Sequence, residues 1–189
     1  MVKVSKRRDH LVQTALRLFQ SDGFHATGID RIVAESGVAK MTLYNHFKSK
    51  DELILAVLRR RDEEFRNWFM RAVESRGSTP RERLVAIFDV LEEWFADSQF
   101  KGCTFINASS EFGDKDDPVH ATCAEHKRLV LGFVRDLAAA AGAKDPAALA
   151  MGLTMLMEGA VVMAHVAGQA DAARRAGQSA EVLIGQALP

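Results

Sequence analysis

An all-α chain is what this sequence predicts, with a helix-turn-helix near its N-terminus, a helical bundle behind it, and about nine helices in all. Three observations carry that expectation. Apolar residues recur three and four positions apart along most of the 189 residues, and no stretch keeps the period of two that a strand needs. Three of the four prolines follow directly on a capping residue, in Thr79-Pro80, Asp117-Pro118 and Asp145-Pro146, which is how helices begin. Apolar side chains make up 48% of the chain, enough to build a core and to exclude disorder as the default.

The elements follow in order. Leu11, Ala15, Leu18 and Phe19 lie on one face of a helix over about 5–22, which Gly23 stops. Thr27, with Asp30 in capping-box register, starts a short helix through Ser36, and Gly37 suits a left-handed turn. A second short helix covers about 39–46, so the pair forms a helix-turn-helix over 28–47. Ser49 caps a long helix to about Arg76, with Asp51 and Glu52 in its first turn. Further helices are expected over 80–97, 103–113, 118–141, 146–167 and 171–187. The stretch 146–170 is the most apolar, but Glu158 at its middle argues against a membrane span. Two cysteines exclude a disulfide framework, and the basic start lacks the apolar run of a signal peptide, so a cytoplasmic location is the simplest reading.

Net charge is zero over the whole chain, which on its face argues against a nucleic-acid partner. The distribution reverses that. Residues 1–50 hold nine Lys/Arg against four Asp/Glu, a net of +5, and residues 51–189 carry the balancing −5. A basic head of residues 1–50 therefore precedes an acidic body of residues 51–189. On the second short helix, Ala39, Lys40, Met41, Thr42, Asn45 and His46 can face DNA while Val38, Leu43 and Phe47 pack backward. Lys40 and Asn45 can donate to base edges, and Thr42 offers a hydroxyl or a methyl. Tyr44, Lys48, Lys50 and the helix start at Thr27 suit phosphates.

Residues 5–65 resemble the N-terminal domain of the TetR family of transcriptional regulators. The match runs through Ala15, Leu18, Phe19, Gly23, Phe24, Thr27, Ile32 and Ser36-Gly37-Val38. It continues through the block Thr42-Leu43-Tyr44-Asn45-His46-Phe47-Lys48-Ser49-Lys50-Asp51-Glu52-Leu53. The resemblance implies a three-helix DNA-binding head, a helical ligand-binding body and a homodimer. It also implies that Thr27, Tyr44 and Lys50 contact phosphates and that residues 39–46 form the recognition helix. Two departures stand out: Val33 where the family usually has Ala, and Ala39 where Ser or Thr often caps the recognition helix.

In the body, large apolar residues at helical spacing are either core or pocket wall. Trp68, Phe69, Phe88 and Phe105 are candidate ligand contacts, with Trp94, Phe95 and Phe112 as further walls. Asn107 and Glu111, four apart on one helix face, can orient a ligand's polar group or satisfy backbone at a helix end. His126 and Glu158 complete the candidate set; an acid in so apolar a stretch must be solvated, paired or protonated. The helices at 146–167 and 171–187 resemble the family's dimer seam, where Ala160, Ala164, Ala167 and Ala176 would permit close approach. His120, Cys123 and His126 have the wrong spacing for a usual Zn site, and nothing flags Cys103 or Cys123 as reactive thiols, so no metal or cofactor is expected.

The sequence thus predicts a homodimeric repressor that a small-molecule effector releases from a near-palindromic double-stranded DNA operator. A helical ligand-binding or signalling module whose head does not read DNA is the alternative. An enzyme is not expected, because no nucleophile–base order, phosphate-binding loop or dense carboxylate pair is present.

Overall fold

The computed structural model describes residues 6–188. Among them are nine helices and no strand: α1 (Lys6–Asp22), α2 (Ile29–Ser36), α3 (Lys40–His46), α4 (Lys50–Arg76), α5 (Pro80–Ala96), α6 (Thr104–Glu111), α7 (Pro118–Ala140), α8 (Pro146–His165) and α9 (Ala172–Ala187). Helix ends fall within a residue or two of those expected, because the caps are local. Thr79 forms a full capping box with Glu82, Asp145 accepts from the Ala148 N–H, and Ser49 accepts from the Glu52 N–H.

One cap differs from expectation. Gly28, not Thr27, precedes α2, and it carries no side-chain cap. The Thr27 hydroxyl instead donates to the Gly23 carbonyl at 2.7 Å, and the residue is only 1% exposed. The cause is position: a cap must sit directly before the first helical turn, whereas Thr27 stands one residue early, beside the open carbonyls at the end of α1. Ala39 likewise starts α3 with its backbone alone.

The chain divides into two compact units, with boundaries inside α4 and α7. The first takes in the chain up to Glu64 together with Cys103–His126. In it α1, α2 and α3 pack on one another around Leu11, Leu18, Phe24, Ile32, Leu43 and Phe47, all fully buried. Gly37 makes the turn between α2 and α3 at φ 63°, a conformation that costs an L-residue roughly 1–2 kcal/mol.

The second unit holds Phe65–Gly102 and the chain from Lys127 onward. There α5, α8 and α9 pack against each other. Phe88 of α5 lies so close to Gly177 that a Cβ on that glycine would stand 3.1 Å from its own. Of the alanines expected at a dimer seam, Ala160 and Ala176 are buried along the groove between α8 and α9, Ala164 is half-buried and Ala167 exposed. By length and composition α8 could cross a membrane. Its Leu149, Ala150, Leu153, Met157, Ala160 and Val161 are nevertheless buried in protein, and Glu158 pairs with Lys127 at 2.6 Å.

Two glycines separate backbone strain from crowding. Nothing lies within 4 Å of a Cβ built on Gly37, so Gly37→Ala should cost about 1–2 kcal/mol for its backbone alone. Gly23, at φ 91°, would place its Cβ 3.2 Å from the Glu111 carboxylate, which is itself held by two hydrogen bonds. Denaturant titration should therefore find Gly23→Ala the more destabilising of the two.

Candidate nucleic-acid interface and body sites

Recognition by a helix needs exposed donors on one face and an apolar anchor on the other. On α3, Leu43 is fully buried and Phe47, just past the helix, is 1% exposed. The opposite face presents Met41, 72% exposed, and Tyr44, 43% exposed, with Ala39, Lys40 and Asn45 also exposed. Thr42 and His46 are half-buried at its edges. Spacing in a 3.6-residue helix suffices to bring these groups together on one face.

The flanking cations are held by specific contacts. Lys50 Nζ donates to the His25 carbonyl at 3.1 Å, so a candidate phosphate contact is tethered to the loop after α1. Lys48 is exposed, and its backbone N–H donates to Glu52 at 2.7 Å. The Arg8 guanidinium stacks over the Phe47 ring at 5.0 Å, adding a cation beside the end of α3. Lys40 Nζ meets the Asp30 carboxylate at 2.6 Å. Through that hydrogen bond and charge, Asp30 holds the Lys40 ammonium above the usual lysine range. Neither the Arg8 contact nor the Asp30 partnership announces itself in the sequence, since each depends on how helices meet.

The loop between α1 and α2 is clasped from a distance. Both carboxylate oxygens of Glu111, at the end of α6, accept backbone hydrogen bonds from Phe24 and His25, at 2.8 and 2.6 Å. His25 Nε2 adds a bond to the Glu111 carbonyl, and Phe112 packs against both the Phe24 and His25 rings. Gln20 also reaches Thr104 at 2.9 Å. Of the two roles open to Glu111, its carboxylate is thus engaged with backbone, although the backbone belongs to the loop after α1 and not to its own helix. Asn107 is half-buried one turn earlier on α6.

The other body candidates fall into separate places. In the first unit, His126 is 3% exposed, bonds Asp62 at 2.7 Å, and stacks face to face on Phe105 with ring centroids 3.6 Å apart. Beside it opens a cavity of about 310 Å³ lined by Arg59, Asp62, Ala121, Thr122, Glu125 and His126. In the second unit, Phe69 and Phe88 are buried core residues, and Trp68 stands 39% exposed beside Phe65, which also meets Trp94. Phe95 packs on Trp94. Glu158 is paired with Lys127, the second of the three states open to it. Asp62 and Lys127 were missed by sequence reasoning because each lies tens of residues from its partner.

His120 and His126 do not converge with Cys123 as ligands: His120 bonds the Phe112 carbonyl and His126 bonds Asp62. Among the described residues no three His, Cys, Asp or Glu side chains gather as a metal site would require.

Two sequence profiles account for most of the chain. Residues 11–57 match the bacterial regulatory proteins of the tetR family, and residues 80–180 match the tetracyclin repressor-like C-terminal domain. The chain belongs to the TetR family of transcriptional regulators. Its fold is similar to that of SCO4454, a TetR-family regulator from Streptomyces coelicolor, at a TM-score of 0.90 and 31% identity, covering 97% of this chain and 96% of that one. The transcriptional regulator YjdC of Escherichia coli is 22% identical over 153 residues, 81% of this chain and 80% of its own. The transcriptional activator FasR of Mycolicibacterium smegmatis is 39% identical over 106 residues, 54% of this chain and 47% of its own. This TetR-family regulator is a DNA-binding transcriptional regulator, a family that binds operators and small-molecule effectors and dimerises.

The clasp yields a prediction. Glu111→Ala leaves the part-buried Phe24 N–H without its acceptor, which should cost about 1–3 kcal/mol in denaturant titration, while water can take over at the exposed His25 N–H; amide exchange should rise at both. A purely ligand-facing Glu111 would leave both measurements unchanged.

Proposed function

We propose that this regulator is a cytoplasmic homodimeric repressor that reads a near-palindromic operator through α3 and leaves it when a small molecule occupies the body. The observation that carries the DNA reading is the exposed face of α3, where Lys40, Met41, Tyr44 and Asn45 stand together above a buried Leu43. Lys40 and Asn45 are the base-reading donors, and Thr42, Ala39 and Met41 offer methyl or hydroxyl contacts. Tyr44, Lys48 and Lys50 hold phosphates. Because the Thr27 side chain is buried, that position would serve phosphate through the backbone at the start of α2.

Dimerisation is supported by an apolar outer face on α8 and α9. Met151, Met155, Val162 and Met163 are exposed on α8, Val166 just past its end, Val182 and Leu183 on α9, and an open groove of about 500 Å³ lies between the two helices. An apolar surface of that kind in water marks a contact with another chain. The two recognition helices of the dimer would then meet successive major grooves about 34–36 Å apart. For the effector, the cavity beside His126 supplies a fixed imidazole–carboxylate pair, a rim arginine at Arg59 and the Phe105 ring behind the histidine. Repression follows where the operator overlaps a promoter; the FasR relative is named an activator, and operator position decides the sign.

Selecting bound duplexes from a random pool tests the reading. The expected product is an inverted repeat bound by two chains; enrichment of no sequence would leave a ligand-binding module in its place. On the selected duplex, Tyr44→Phe and Lys50→Ala should each weaken binding about three- to tenfold on every sequence, and Lys50→Ala should lower the salt slope by about 1. Asn45→Ala should instead change which base is preferred. Competition titrations against the selected and a scrambled duplex separate the two effects.

A further inference from the structure

We propose that Asp30 and Lys40 act as one unit that reads a G·C base pair in each half-site. The inference rests on α3 being the DNA-reading helix. Asp30 lies in the first turn of α2, and Lys40 is the first residue of α3. Their charged groups meet at 2.6 Å with side chains 82% and 54% exposed.

Fold stability does not call for this pair. An ion pair so exposed contributes little in water, and α2 and α3 are already joined by the Gly37 turn and by buried Ile32 and Leu43. On DNA, a lone carboxylate beside the leading residue of a recognition helix would face a polyanion and oppose binding. It becomes favourable only against a base donor, and the major groove presents just two, cytosine N4 and adenine N6.

The ammonium beside it selects between them. Guanine turns two adjacent acceptors, O6 and N7, toward one cation. In an A·T pair the adenine N6 donor stands between two separate acceptors, its own N7 and thymine O4, so a cation beside it meets only one. Within a G·C pair the guanine O6 and cytosine N4 are hydrogen-bonded neighbours about 2.9 Å apart. The Lys40 ammonium and Asp30 carboxylate are spaced alike. Lys40 can keep one hydrogen on Asp30 and donate others to guanine, while Asp30 accepts from cytosine. Every donor and acceptor on that edge is then matched.

Asp30 is unusual among the residues of this face because it would supply specificity at a cost in electrostatic attraction. Removing it should therefore loosen discrimination without abolishing binding.

The test is random-duplex selection with the full-length wild-type chain, Asp30→Ala, Lys40→Met and the double variant, followed by titration of single-base-pair changes. The wild type should prefer G·C over A·T about tenfold or more at one position per half-site. Asp30→Ala and Lys40→Met should each reduce that preference to about twofold while other positions keep theirs, and the double variant should match the singles, as a unit requires. The proposal is overturned if Asp30→Ala binds all duplexes more tightly with preferences unchanged, since the carboxylate then merely repels phosphate. It is also overturned if the pair at that position is A·T. A wild-type chain that enriches no sequence fails earlier, by removing the DNA-reading assignment itself.

Discussion

The five residues from Gly23 to Thr27 carry the constraint on which the DNA-facing surface depends. Gly23 turns the chain out of α1 with a left-handed φ, and Phe24 then drops into the core against Phe19 at 4.9 Å. The next carbonyl, that of His25, tethers Lys50, and Thr27 closes the loop back onto Gly23. The part-buried Phe24 N–H needs an acceptor, because such a donor left open costs more than its bond returns, and the exposed His25 N–H shares the same partner. The Glu111 carboxylate is that partner. A single side chain on α6 thereby fixes the entry to α2, and with it the relation of α2 to α3 and the start of α4. Because α6 belongs to the same compact unit as α1, α2 and α3, the DNA-reading helices and a segment from well beyond them form one folded body.

Electrostatics follow the same division between what is local and what is not. The excess of positive charge in residues 1–50 was readable by counting, and it coincides with the exposed cations around α3. Which anions restrain those cations was not readable. Asp30 sits ten residues from Lys40, and Asp62 sits 64 residues from His126. Sequence distance gives no hint of such pairings unless both residues lie on one helix or at its cap, where i and i+4 spacing makes them neighbours, as in Arg60–Glu64 within α4 and Arg175–Asp171 at the start of α9.

Much of the architecture was legible because helices announce their own ends. The Thr79 box, the Asp145 cap and the Gly37 turn each combine residues within four positions, and each occurs where the sequence implies it. Thr27 shows the limit of that logic: the right residue type, displaced by one position, uses its hydroxyl on the preceding helix instead. The body sites were less legible for a different reason. Phe69, Phe88 and Trp68 share apolar character and helical spacing, yet the first two are core and the third is 39% exposed. Periodicity identifies the face of one helix, and only the packing of several helices decides whether that face meets protein, ligand or a second chain. The same holds on α8, where Met157 is buried while Met151, Met155 and Met163 are exposed.

The central claim is that the surface formed by α3, with the flanking starts of α2 and α4, is what meets DNA. Amide hydrogen exchange with and without a selected duplex measures that surface directly. Protection on DNA binding should concentrate in residues 27–31 and 39–51, with any change at α8 and α9 smaller than in these segments. Protection confined to the body, with exchange across α3 unaltered, would contradict the account.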